Sequence, residues 1–136
     1  MRKLSEYSAV YSIGAAGYSL LEILWRGFTH WTMALTGGLC FLLIYITDNA
    51  HEDAPLWKKC LAGSLIITFF ELLVGIIVNI ILHWDVWDYS SMKFNLWGQI
   101  CPLYSALWYL LCMPAAWLCR RLKRLLGGTT AIQYGK

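Results

Sequence analysis

Residues 58–84 read KKCLAGSLIITFFELLVGIIVNIILHW, and DVWDYS follows directly at residues 85–90. Two lysines open this stretch, and Glu71 is the one charged side chain within residues 60–82. At about 1.5 Å per residue, a helix over residues 60–82 covers the ~30 Å hydrocarbon core of a bilayer. The stretch therefore predicts a membrane-spanning helix with a carboxylate near its middle.

This carboxylate makes Glu71 the first candidate for a functional side chain. A charged group at the centre of a bilayer costs about 2.5–3.5 kcal/mol on insertion scales, so Glu71 is expected to face protein or water rather than lipid. The small and polar residues of the same helix recur at steps of three or four, which places them on one face with Glu71. They are Ser64, Thr68, Gly75 and Asn79. Because such a stripe is also typical of a packing seam between helices, both interpretations stay open for its other members.

The composition favours the lipid bilayer as the main partner of the chain. Of its 136 residues, 59% are hydrophobic and only 14% are charged, and a soluble chain of this size could not bury so much apolar surface. The five cysteines lie in or beside apolar runs without the paired spacing of a metal site, so we interpret them as small core residues. No metal, cofactor or nucleic-acid partner is expected.

Four apolar runs predict an all-α fold with a single transmembrane domain over residues 1–136. The predicted spans are residues 9–25, 31–47, 60–82 and 96–118, and a basic tail follows at residues 119–136. Pro102 and Pro114 are expected to kink the fourth span, because each removes a backbone hydrogen bond.

The basic residues predict the orientation of this domain. If both termini are cytoplasmic, nine lysines and arginines lie on that side, and only Arg26 and Lys93 lie outside. Since cytoplasmic segments carry the excess of basic residues in membrane proteins, this bias predicts cytoplasmic termini. The segment at residues 85–95 is then on the outer face.

Glu22 is a second candidate carboxylate, for which the sequence leaves three interpretations open. Arg26 follows it by four residues, the favourable order for an ion pair within one helix. Alternatively, Glu22 lies level with Glu71, where two carboxylates share a proton or a cation. If it lies higher, it belongs to an outer vestibule with His30.

Two further polar residues complete the set of transport or binding candidates, which comprises Glu71, Glu22, Asn79, His30, Asp88 and Arg26. Asp88 lies in the WDYS sequence of the segment at residues 85–95, where capping of a helix or of exposed backbone is preferred over a binding role. Asn79 enters the set through its place on the polar stripe. The neighbouring Trp87 and Tyr89 are expected to anchor this segment at the membrane interface.

The second half of the chain also carries a family resemblance. WDYS at residues 87–90 is followed by Phe94, Gly98 and Cys101, after a helix with a central Glu71. This pattern, over residues 68–110, resembles the type IV family of ABC-transporter permeases, which are CmpB-like small integral membrane proteins of bacteria. The resemblance implies a transport role in the bacterial cytoplasmic membrane.

Three functional classes follow from these observations. The first is a permease or transport subunit with Glu71 lining the path, expected as a homo-oligomer because four helices enclose little space. The second is a proton- or ion-coupled exporter or channel for cations, since aromatic faces attract organic cations. The third is an accessory protein that binds another membrane complex. The chain has no Walker motif, so any ATPase is expected to be a separate chain. An enzyme is not expected, because no spacing marks a nucleophile or a metal triad.

Overall fold

The computed structural model of the chain describes residues 2–127, and these residues form four helices with no strand among them. The helices, labelled α1 to α4 in chain order, are Arg2–Arg26, Trp31–Ala50, Leu56–Gly75 and Pro102–Leu122. α3 continues into a π-helical turn at Ile76–Ile81, and α4 continues into a second one at Lys123–Gly127. The predicted all-α class is confirmed.

Three of these helices, rather than four, are long and apolar enough to cross a membrane. With their π-helical extensions they are Trp31–Ala50, Leu56–Ile81 and Pro102–Leu126. α1 has 25 residues but carries serines, glycines, tyrosines and Glu22 among its apolar residues, which lowers its mean hydropathy. The prediction of four spans is therefore wrong in number.

The fourth apolar run starts later than predicted. α4 begins at Pro102, and residues 82–101, which we call the outer segment, have no helix of their own. Proline at the first helical position loses no hydrogen bond, since the N–H there has no partner within the helix. The kink predicted at Pro102 is therefore wrong, whereas Pro114 does lie inside α4. Of the predicted basic tail, residues 128–136 with Lys136 lie outside the described residues.

The helices form two packed pairs that share a core. α1 packs along α2, α3 packs along α4, and α2 also contacts α3 and α4. A buried cluster that includes Val10, Tyr45, Cys60 and Cys119 joins the start of α1 and α3 to the end of α2 and α4. The first and last described residues therefore lie at the same end of the bundle, which we call the basic end.

The two faces of α3 show which side meets lipid. Leu61, Leu65, Phe69 and Leu73 recur at steps of four and are 43–61% exposed. Glu71 on the other face is only 4% exposed. An apolar outer surface around a more polar interior is the arrangement that a helix in a bilayer requires.

Small residues bring the helices of this bundle close together. Ser64 Oγ donates a hydrogen bond to the Ser105 carbonyl oxygen at 2.7 Å, and the Thr68 and Ser105 hydroxyls lie 2.9 Å apart. A Cβ on Gly63 would lie 2.5 Å from Cys112 Sγ. The polar stripe predicted on the third span is therefore a packing seam against α4 over this part. All five cysteines are buried, as their position in apolar runs predicts.

Two glycines of α1 offer a matched test of the α1–α2 contact. A Cβ on Gly14 would lie 2.5 Å from Phe41 Cβ, whereas a Cβ on Gly17 meets nothing within 4 Å. We expect Gly14→Ala to lower the free energy of unfolding by about 1–3 kcal/mol through overpacking. Gly17→Ala is expected to raise it by about 0.5–1 kcal/mol through its better helix propensity. SDS titration in detergent, followed by circular dichroism, measures both, and equal effects would contradict the observed packing.

Candidate functional site

Glu71 lies in the interior of the bundle, and one of its carboxylate oxygens completes no hydrogen bond. Tyr89 Oη, from the outer segment, donates a hydrogen bond to Glu71 Oε2 at 3.2 Å. The indole of Trp108 on α4 lies beside the same carboxylate. Glu71 Oε1 and Trp108 Nε1 are both buried, and neither completes a hydrogen bond, although the Trp108 N–H lies near enough to the carboxylate to interact with it. Since a buried polar atom without a partner costs free energy, this pair marks a position where a proton or a ligand atom fits.

Glu22 is also buried, with 9% of its surface exposed, and both of its carboxylate oxygens have partners. Arg26 forms an ion pair with it, and Thr29 Oγ1 donates a hydrogen bond to Glu22 Oε2 at 3.2 Å. Glu22 also lies near enough to Glu71 for their charges to interact, and Tyr18 is beside both. The ion pair with Arg26 and the proximity to Glu71 therefore occur together.

Two adjoining cavities surround this group of side chains. The inner cavity has a volume of about 470 Å³ and is lined by residues of all four helices, among them Glu71 and Cys40. The outer cavity has a volume of about 250 Å³ and is lined by Glu22 and Arg26. The residues that line both are Tyr18, Leu21, Met33 and Leu111. The two carboxylates thus belong to one continuous region of the interior.

The outer segment folds back between the helix ends and lines part of this region. Val86 and Trp87 are each 6% exposed, and Trp87 Nε1 donates a hydrogen bond to the Gln99 carbonyl oxygen at 3.0 Å. Arg26 Nη1 donates to the Val86 carbonyl oxygen at 2.9 Å. Trp87 therefore packs in the interior, so its predicted role as an interface anchor is wrong.

Asn79 holds the outer segment in this position. Its Nδ2 donates a hydrogen bond to Gln99 Oε1 at 2.7 Å, and its Oδ1 accepts one from the Val86 N–H, also at 2.7 Å. Both bonds are buried, where an amide that satisfies two partners contributes most. Asn79 is placed as a tether for the outer segment.

The fold of the outer segment depends on left-handed backbone at positions that its sequence does not predict. Four residues other than glycine have φ between 51° and 58°, namely His83, Asp85, Phe94 and Trp97. Each costs about 1–2 kcal/mol relative to ordinary backbone, so the buried hydrogen bonds described above must offset them. Gly98 has φ 72° without that cost.

A comparison with known families identifies the chain. The family model described as Putative ABC-transporter type IV matches residues 7–130 of the 136. The chain belongs to this family. No curated protein and no solved structure matches it. The resemblance to the type IV family is thus confirmed, and together with the three apolar helices it indicates a transport-related membrane protein.

Two of the candidate residues of this type IV family member lie away from both cavities. Asp88 Oδ1 accepts a hydrogen bond from the Ser90 N–H at 2.9 Å, and its hydrogen bonds with the side chain and backbone of Ser90 lower the pKa of Asp88. His30 precedes α2, and its Nδ1 accepts a hydrogen bond from the Thr32 N–H at 3.3 Å. Both are placed as caps of local backbone, the role preferred for Asp88 from the sequence.

Sequence reasoning did not identify two side chains of the site. Tyr18 lies one helical turn before Glu22, so a search for aromatic residues on the same face of α1 would have found it. Trp108 lies within the stretch that carries the resemblance to the type IV family. Its position next to Glu71 depends on how α3 and α4 pack, for which the spacing gives no signal.

Proposed function

We propose that this type IV family member is a permease or transport subunit in which Glu71 lines the path of the solute. The observation that carries the proposal is a buried carboxylate at the wall of a cavity of about 470 Å³, whose Oε1 completes no hydrogen bond. Among the described residues, no lysine or arginine forms an ion pair with Glu71. An intramembrane carboxylate without a structural ion pair supports a role in binding and release, because retaining it has a cost.

The proposed orientation places the basic end in the cytoplasm. Lys59, Arg120, Lys123 and Arg124 line one groove at that end, together with Asp48 and Glu52. Lys123 forms both a hydrogen bond and an ion pair with Glu52. Both interactions lower the pKa of Glu52. The excess of cations at this end supports cytoplasmic termini. The outer segment then faces the outside of the cell membrane.

The proposed assembly is a homo-oligomer. The inner cavity is lined by residues of all four helices, yet its volume of about 470 Å³ is that of a binding cavity rather than of an aqueous channel. Two or more copies around a shared axis would supply the rest of the path. In this proposal the protein is a transport component and not an enzyme, and an ATPase partner would be a separate chain.

A flux assay tests the role of Glu71. Proteoliposomes that contain a pH-sensitive dye are loaded in turn with potassium, sodium or an organic ammonium salt and diluted into buffer without that cation, and proton entry is recorded. We expect Glu71→Gln to lower the rate by at least about tenfold, because the amide cannot exchange a proton or balance a cation. Glu52→Gln is the matched control, since it makes the same chemical change at an exposed position. Equal rates for wild type and Glu71→Gln, or no flux above empty liposomes, would overturn the proposal.

A further inference from the structure

We propose that the outer cavity and Glu71 form a binding site for a lipophilic organic monocation, which is exchanged there for one proton. This inference rests on the transport role proposed above and names the class of substrate for that site.

The walls of the outer cavity are unusually aromatic. Half of its twelve lining residues carry aromatic rings: Tyr18, Trp25, Trp87, Tyr89, Tyr104 and Trp108. Tyr89 and Tyr104 are stacked with their ring centroids 4.6 Å apart, and the rings of Tyr18 and Trp108 lie 6.1 Å apart. A cation over the face of an aromatic ring is attracted by the ring's quadrupole, and more strongly when the site is desolvated. Aromatic walls of this kind favour quaternary and other organic ammonium groups.

The charges around the cavities leave one negative charge to be balanced. Glu22 and Glu71 are the two carboxylates of the region, and Arg26 is its one lining cation. Arg26 already balances the charge of Glu22 through their ion pair. Glu71 therefore needs either a proton or a single positive charge from a ligand, since an uncompensated buried charge is costly. Glu71 Oε1, which completes no hydrogen bond, is where this charge would be neutralised.

The chemistry of the lining favours an organic cation over a metal ion. Calcium takes six to eight oxygen ligands, and magnesium demands octahedral coordination. Within residues 2–127 no group of three acidic, histidine or cysteine side chains is placed to hold a metal. The inner cavity is lined mainly by apolar side chains, such as Ile13, Phe41 and Leu118, which suit the hydrocarbon part of an amphiphilic ligand.

The exchange step is balanced in atoms and charge. In the resting site the Glu71 carboxyl group carries its proton. On binding, its O–H bond breaks, the proton leaves to water, and the carboxylate pairs with the positive group of the ligand. Release reverses both steps. The site thus has the same net charge in either state, so one cation moves one way for each proton that moves the other way.

Calorimetry on the full-length protein in a nonionic detergent tests this site. The probe is benzyltrimethylammonium, titrated in pairs of buffers that differ in ionisation enthalpy, so that protons released per bound cation are counted. We expect close to one proton per cation at about pH 5, where the carboxyl group carries its proton, and fewer protons per cation as the pH rises. Glu71→Gln is expected to weaken binding at least about tenfold and to abolish proton release, whereas Glu52→Gln leaves both unchanged.

Substitution of Trp108 separates the aromatic contribution from the fold. Trp108→Phe keeps a ring face and is expected to bind within about threefold of wild type, whereas Trp108→Leu is expected to bind about tenfold more weakly. Binding that persists in Glu71→Gln, or that releases no proton at any pH, overturns the inference, as does an absence of binding. If binding is absent while flux in liposomes still depends on Glu71, the transport role stands and the substrate class is wrong. If binding and proton release occur without Glu71-dependent flux, the site stands and the transport role fails.

Discussion

Replacement of Arg26 by methionine is expected to lower the free energy of unfolding by about 3–5 kcal/mol. The substitution keeps a side chain of similar length but leaves Glu22, which is 9% exposed, as a buried charge without its partner. Removal of one member of a buried ion pair typically costs this much. It also deprives the Val86 carbonyl oxygen of the hydrogen bond from Arg26 Nη1, so the outer segment loses an attachment. SDS titration followed by circular dichroism measures the loss.

A double variant identifies the source of this effect. In Glu22→Gln/Arg26→Met the uncompensated charge is absent, so we expect at least about half of the lost stability to return. The part that does not return reports the lost hydrogen bond to Val86. If the double variant is as unstable as Arg26→Met, the ion pair is not what stabilises this part of α1. If Arg26→Met unfolds like wild type, neither contact contributes to stability.

Replacement of Asn79 by leucine is expected to release the outer segment. Leucine matches asparagine in shape but leaves the Val86 N–H and Gln99 Oε1 without their partners, at about 1–3 kcal/mol each. Four residues of the outer segment other than glycine have left-handed backbone, which costs free energy. The observed position of the segment is therefore only slightly more stable than a released one. We expect hydrogen exchange in residues 83–101 to accelerate at least about tenfold, while exchange in α2 changes little.

Gln99 supplies the control for this prediction. If Asn79 and Gln99 act through their mutual hydrogen bond, the effects of Asn79→Leu and Gln99→Leu will be less than additive in the double variant. Additive effects would show that the two residues act independently. Unchanged exchange of the outer segment in Asn79→Leu would show that the segment is held by other contacts.

The parts of the fold that follow from repeating patterns were predictable from the sequence. Three helices long and apolar enough to cross a membrane follow from their apolar runs, and the inward face of the third follows from the spacing of its polar residues, because lipid requires apolar and polar faces to be separated. The burial of Glu71 follows from the same separation. The ion pair between Glu22 and Arg26 is local, so the spacing of four residues indicated it as one of the three interpretations left open for Glu22.

The outer segment shows where such reasoning ends. Its shape depends on left-handed backbone at His83, Phe94 and other side chains that rarely adopt it, and no propensity indicates these positions. The role of Asn79 depends on Gln99, twenty residues further on and across an irregular loop. The position of Trp108 beside Glu71 likewise depends on tertiary packing. For α1, mean hydropathy rather than length decided the outcome, and the interpretation from its apolar run alone was wrong.

The π-helical turn at Ile76–Ile81 links the two halves of the site in a further way. It contains a backbone bond from the Leu82 N–H to the Ile77 carbonyl oxygen, one residue wider than in an α-helix. An α-helix turns the chain by about 100° per residue, and the wider π-helical turn changes that phase. Asn79 lies within this turn, so the turn sets the direction from which Asn79 meets the outer segment. The geometry of the turn after α3, and not only its side chains, therefore sets where Asn79 lies relative to Glu71.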